Sequence, residues 1–184
     1  MALLWWIVGV IILLVLIVIY YFNRFAVLEN RIDNSSGQID VQLKKRADLV
    51  PNLMESVKGY MRHEKSIMTE VTNAREVLMG AGANMQNKLK AGDALQGVLG
   101  RLFALAENYP NLKASDTFIQ LQNELSAIED RVAYARQFYN DSVLDYANLF
   151  ATFPGNVFAN MFGKKQKAYL KITEAERKVP KVQF

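Results

Sequence analysis

His63 and Glu64 are adjacent, and a His-Glu pair on a helix is half of the arrangement by which zinc peptidases hold a metal and activate water. The other half, a second His one turn along, is missing. The chain has a single His and no Cys. Two-imidazole sites, thiol nucleophiles, Cys-ligated zinc and disulfide scaffolds are therefore excluded, as is diiron chemistry built on paired Glu-x-x-His motifs. Glu124, Glu129 and Asp130 group three carboxylates, but at helical spacing they read as a solvated outer face. Ser56 and Ser66 flank His63 without a strained elbow or an oxyanion hole. No Gly-rich phosphate loop follows a strand. These residues assemble no catalytic, cofactor-binding or metal site, and the expectation is a protein that is not an enzyme and carries no cofactor.

The elements that hold these side chains are helices. Residues 1–22 contain no charged side chain. The run from Leu3 to Phe22 is 20 residues, roughly 30 Å as a helix, which matches the hydrocarbon core of a bilayer. Trp5 and Trp6 at one end and Tyr20 and Tyr21 at the other suit the two headgroup levels. No Lys or Arg precedes the run and no small-residue cleavage pair follows it, so it reads as an anchor and not as a signal peptide. Basic residues lie only on its C-terminal side, beginning with Arg24 and Arg31. Positive residues stay cytoplasmic, which predicts the N-terminus outside and the body inside a cell (inner or plasma) membrane.

Beyond Arg24 the apolar residues recur in steps of 3 and 4. The clearest stripe is Phe118, Leu121, Leu125, Ile128, Val132, Ala135, Tyr139, Ser142, Tyr146, Leu149 and Phe153. Ser115 or Asp116 caps this helix and Pro154-Gly155 stops it. A longer helix is expected over residues 25–80. Its stripe runs through Leu28, Ile32, Ile39, Leu43, Arg46, Val50 and Leu53 and on to Val71 and Leu78, in phase through Pro51. That phase favours a kink at Pro51 over the start of a separate helix. Gly80-Ala81-Gly82 ends it. A helix over Met85–Tyr109 presents Leu95, Leu99, Leu102 and Ala106. Arg46 and Glu64 interrupt the first stripe, either as long stems whose heads reach water or as a register device with specific buried partners.

The expected architecture is all-α: a transmembrane anchor at 1–23, an elongated bundle of three long helices within 24–163, and a basic tail at 164–184. The tail has seven basic residues against Glu174 and Glu176, which leaves residues 1–163 at a net charge of about −1. Without a recognition fold beside it, the tail does not imply nucleic acid. Phe158, Met161, Phe162, Lys164 and Lys165 are candidates for contact with an anionic leaflet; the alternative is that the apolar ones cap the bundle core. On length, the third helix should project outward past the 80–84 turn. That would leave Leu28, Ile32, Ile39, Leu43, Arg46, Val50 and Leu53 as a stripe to be covered by neighbouring molecules, that is, as a self-association seam.

Long blocks carry a family resemblance: RIDNSSGQIDVQLKKRADLVPNLMESVKGYMRHE at 31–64, GRLFALAENYPNLKASDTFIQLQNEL at 100–125, ARQFYNDSVLDYANLFATFPGNVFANMFG at 135–163, and a closing PKVQF. With the anchor before them, they make the chain resemble the LemA family. Ser36 and Ala147 depart from its pattern. The resemblance implies a membrane-anchored helical protein of bacteria and supplies no catalytic residue. The expected function is a non-enzymatic single-pass membrane scaffold that self-associates as a homo-oligomer on membrane lipid. The alternative is a membrane-tethered adaptor or sensor for a protein partner, and a hydrolase with an unrecognised site stands last.

Overall fold

The structure, a computed structural model, describes residues 1–170. Its elements are α1 (Ala2–Lys58), α2 (Lys65–Met79), α3 (Met85–Ala106), α4 (Pro110–Lys113), α5 (Asp116–Ala151) and α6 (Gly155–Met161). No strand occurs among the described residues, so the fold is all-α. The first part of α1 is long and apolar enough to cross a membrane. The described chain divides into two compact units, residues 35–136 and residues 1–34 with 137–170, and both α1 and α5 contribute to each.

In the 35–136 unit, the second half of α1, α2, α3 and the first half of α5 form a four-helix arrangement. Arg75 Nε donates to the Ala47 carbonyl at 2.8 Å, Lys88 pairs with Asp40 at 2.5 Å, and Arg101 pairs with Glu70. These contacts put α2 antiparallel to α1 and α3 parallel to it. Phe103 meets Phe118 edge to face, and Arg136 meets Asp93, so α5 returns antiparallel to α3. The core collects Val50, Leu53, Val57, Val71, Leu95, Leu99, Leu102, Leu125 and Val132. Gly82, at φ 67°, turns α2 into α3 in the left-handed region that glycine enters without a Cβ penalty. In the other unit, Phe25, Leu28 and Ile32 of α1 pack with Val143 and Tyr146 of α5 and Ala159 of α6.

Two expectations are overturned. The helix expected over 25–80 is two helices: α1 stops at Lys58, the chain reverses through residues 59–64, and α2 returns. Pro51, the strongest breaker in this stretch, lies inside α1 with its ring exposed, and the buried Ala47 carbonyl that its missing N–H leaves open accepts from Arg75 Nε at 2.8 Å. The third long helix also does not project outward. α5 runs back along α1, and Tyr146 meets Phe25 with ring centroids 5.7 Å apart. Among the described residues, the 35–136 unit therefore packs four helical segments, from α1, α2, α3 and α5, where three long helices were expected. The α5 stripe holds: Phe118, Leu121, Leu125, Ile128, Val132, Ala135, Ser142 and Tyr146 are buried, and only its last member, Phe153, is exposed.

Leu125 is buried and Gln122, three residues before it, is exposed. An Asp at 125 places an unpaired charge in the core and should lower stability by several kcal/mol. An Asp at 122 should change it by about 0.5 kcal/mol or less. Urea unfolding of the two purified variants, followed by helical circular dichroism, checks this.

Candidate functional site

Arg46 projects from α1 into the middle of the 35–136 unit, where it is 1% exposed. Its Nη1 donates to the Gly92 carbonyl on α3 at 3.1 Å, and its Nη2 bonds the Glu129 carboxylate on α5. One guanidinium thus ties three helices. Beside it, Arg136 meets Asp93 through two hydrogen bonds of 3.3 and 3.2 Å, a planar two-pronged pairing that suits Arg. Burial lowers the Arg46 pKa from its ordinary value, while the charge and hydrogen bond of Glu129 oppose that shift. Among the described residues, Arg46 Nε and Gln42 Oε1 are buried without a hydrogen-bond partner. Gly92 makes the approach possible: a Cβ there would lie 2.6 Å from Leu43 Cδ2. These charges are matched to one another across helices, which is the arrangement of a register lock.

The unit containing the apolar part of α1 has its own polar centre. The Tyr146 hydroxyl donates to the Lys165 carbonyl at 3.0 Å and to Glu29 at 3.4 Å, and Lys164 Nζ pairs with Glu29 at 2.6 Å. Burial, then the Glu29 charge, raises the Tyr146 pKa to about 12. Tyr139 donates to the Ala168 carbonyl at 3.2 Å, and Asn140 holds Leu170 through two bonds of 3.1 and 2.9 Å. Residues 164–170 are thereby fastened to α5. α6 closes this unit with aromatic contacts: Phe158 stacks on Tyr21 at 4.7 Å, and Phe162 meets Phe22 edge-on at 5.4 Å.

The seam expected between molecules lies within one chain. Leu28, Ile32, Ile39, Leu43, Arg46, Val50 and Leu53 are all buried, because α2 and α5 return along α1 where an outward third helix would have left it bare. Phe158 and Phe162 pack against α1 and are half-buried, and Lys164 is engaged by Glu29. Met161 and Lys165 are exposed. Trp5, Trp6 and Tyr20 are exposed and Tyr21 is half-buried. The basic residues of the tail from 171 onward, and PKVQF, lie outside the described residues. Glu64 accepts from the Tyr109 hydroxyl at 2.9 Å, a bond that raises the Tyr109 pKa; Glu64 sits at the start of α2, not within a continuous stripe. Sequence reasoning missed Glu129, Asp93, Arg136 and Glu29. The one available signal was Arg46 itself, since an Arg in an apolar stripe needs a carboxylate on a facing helix.

A surface groove completes the 35–136 unit. Lys45, Asp48 and Leu49 of α1 and Glu124, Ala127, Ile128 and Arg131 of α5 line a cleft of about 350 Å³. Its floor is apolar and its rim carries both signs of charge.

These features define a class: an all-α protein with one N-terminal helix able to span a membrane and a helical body locked by internal ion pairs. Residues 35–184 match the profile of the LemA family, and the chain belongs to that family. It is 26% identical over 149 residues to Protein LemA of Metamycoplasma hominis, covering 81% of this chain and 68% of that relative. It is 25% identical over 173 residues to Magnetosome protein MamQ of Magnetospirillum gryphiswaldense, covering 80% of this chain and 64% of the relative. Magnetosome protein MamQ 2 of Paramagnetospirillum magneticum matches to the same extent. The chain thus spans about two thirds of the length of these relatives.

Glu129→Gln should destabilise the protein by about 3 kcal/mol, because it strands a buried guanidinium. Arg46→Met combined with Glu129→Leu should recover most of that loss, and urea unfolding of the single and double variants measures the difference. Tyr146 gives a second expectation. Its folded pKa, about 12, lies above the ordinary 10.0, so the stability it supplies is complete below pH 10 and is lost as pH rises toward 12. Tyr146→Phe should flatten the stability profile in that window.

Proposed function

We propose that this chain is a non-enzymatic, single-pass membrane protein that acts as a scaffold by self-association. Its N-terminus is outside and its body on the cytoplasmic side of a cell membrane. The anchor reading rests on the charge-free residues 1–22, and the orientation rests on the basic residues that begin at Arg24. The non-enzymatic reading draws on the use of the buried charges: Arg46, Glu129, Asp93 and Arg136 neutralise one another across helices.

The observation that carries self-association is the groove between α1 and α5. Lys45 and Arg131 oppose Asp48 and Glu124 around Leu49, Ala127 and Ile128. A two-fold interface needs a patch complementary to itself, hence one that carries both charges. Anchors held in one membrane plane raise the effective concentration of such patches. The same groove, with its apolar floor, also suits an amphipathic helix from a different protein, which is the adaptor reading.

The chain has no Cys, so single cysteines at Leu49, Ala127 and Arg131 report directly. In native membranes at least one should form an interchain disulfide efficiently, while a cysteine at Gln122 should not. Absence of crosslinks at all three, with a monomeric mass in mild detergent, overturns self-association and leaves the adaptor. Protease added to spheroplasts should spare an epitope fused at the C-terminus; rapid external digestion would reverse the orientation.

A further inference from the structure

The apolar residues of α6 divide between two faces. Gly155 and Ala159 are buried and Phe158 and Phe162 half-buried, and this face meets Tyr21, Phe22 and Phe25 of α1. Val157 and Met161, one turn apart, are exposed, and Phe153 just ahead of the helix is 83% exposed. Exposed aromatic and aliphatic side chains at this spacing need a cover other than water.

We infer that Phe153, Val157 and Met161 insert into the leaflet beside the transmembrane helix, giving the protein a second, interfacial membrane contact. This rests on the reading that residues 3–22 cross the bilayer. Depth carries the argument. The run from Leu3 to Phe22 fills roughly 30 Å of hydrocarbon, so Tyr21 and Phe22 stand at its edge. α6 is in ring contact with both, at 4.7 and 5.4 Å, and shares their level. The cover also starts inside the apolar run: residues 1–16 are exposed throughout, whereas Ile17, Val18 and Tyr21 are half-buried.

Charge agrees with depth. Asp145 and Lys164 bracket 18 residues without a charged side chain, 146–163. On α1 the first charge is Arg24, two residues past Phe22. On α1 the charges thus begin between Phe22 and Phe25, at the far edge of the aromatic contacts, and on the α6 side with Lys164, which pairs with Glu29 at 2.6 Å. Asn156 and Asn160 are exposed beside the apolar face and suit the headgroup level. An uncharged helix that packs one apolar face against the end of a span and leaves its second free is placed to sink that second face to the acyl boundary, as interfacial helices do.

The test uses the full chain in vesicles of phosphatidylcholine and phosphatidylglycerol. Single cysteines at Val157 and Met161 carry a polarity-sensitive fluorophore, with Ile12 as a mid-span control and Gln122 as a water-exposed control. Lipid-attached nitroxides should quench the label at 157 and 161 several-fold more than at 122, and aqueous iodide several-fold less. Labels at 157 and 161 that behave like the one at 122, while 12 is deep, overturn the inference and leave the span intact. A label at 12 open to iodide takes down the span and the inference with it. Shielding of 157 and 161 from both quenchers would mean that protein covers this face, and it also overturns the proposal.

Discussion

The 35–136 unit depends on one buried guanidinium. Removing Arg46 from water is costly, and the penalty is offset only if its donors meet acceptors on specific partners. Those partners sit on two other helices, the Gly92 carbonyl on α3 and Glu129 on α5. A shift of either helix by one turn, about 5.4 Å, would break the bonds and strand the charge. Apolar packing alone does not discriminate so sharply, since Leu, Val and Ile stripes interdigitate at neighbouring registers nearly as well. Here the stripes bring the helices together, and Arg46 with the adjacent Arg136–Asp93 pair selects the alignment. Gly92 follows from this choice, because α3 must come close enough to offer its carbonyl beside Leu43.

What was legible in the sequence follows from what periodicity encodes. The α5 stripe appears in the structure almost residue for residue, since each apolar position needs only to face the core. The α3 face from Leu95 to Ala106 holds for the same reason. The reversal at residues 59–64 was not legible. Val50, Leu53 and Val57 precede it and Ile67, Val71 and Leu78 follow it, and the two groups stay in phase. Two antiparallel helices facing one core each keep their own stripe, so phase does not tell a turn from a continuation. Gly59 was the quieter signal, as it weakens a helix by roughly 1 kcal/mol relative to Ala. Pro51 was the louder one and proved harmless, because its ring faces outward and Arg75 takes up the carbonyl of Ala47 that its missing N–H leaves open.

The polar partners were hidden for a different reason. Glu129 lies beside Ile128 in sequence and, with Glu124 and Asp130, reads as solvated surface. Only the position of α1 against α5 shows that its carboxylate reaches Arg46. Glu29 and Tyr146 are 117 residues apart and are brought together by the return of α5. The seam was misplaced by the same tertiary step: a stripe assigned to neighbouring molecules was already covered within the chain. The proposed self-association therefore rests on the outer groove and its mixed charges, and not on the apolar stripe.

α1 carries two surface patterns in one helix. From Leu3 to Leu16 its large side chains are exposed on all sides, a pattern tolerated in lipid but not in water. From Phe25 onward its buried apolar residues narrow to one stripe, and polar and charged residues occupy most of the remainder. The helix does not break where the pattern changes. In hydrocarbon every backbone group must be satisfied within the chain, and only past the headgroups can water replace a missing partner. A helix that leaves the bilayer therefore does best to remain intact across the boundary and to reverse well beyond it. The reversal comes at residues 59–64, 35 residues after Arg24. There Tyr60, Met61 and Glu64 bond back to carbonyls of the preceding turns and the exposed Gly59 faces solvent.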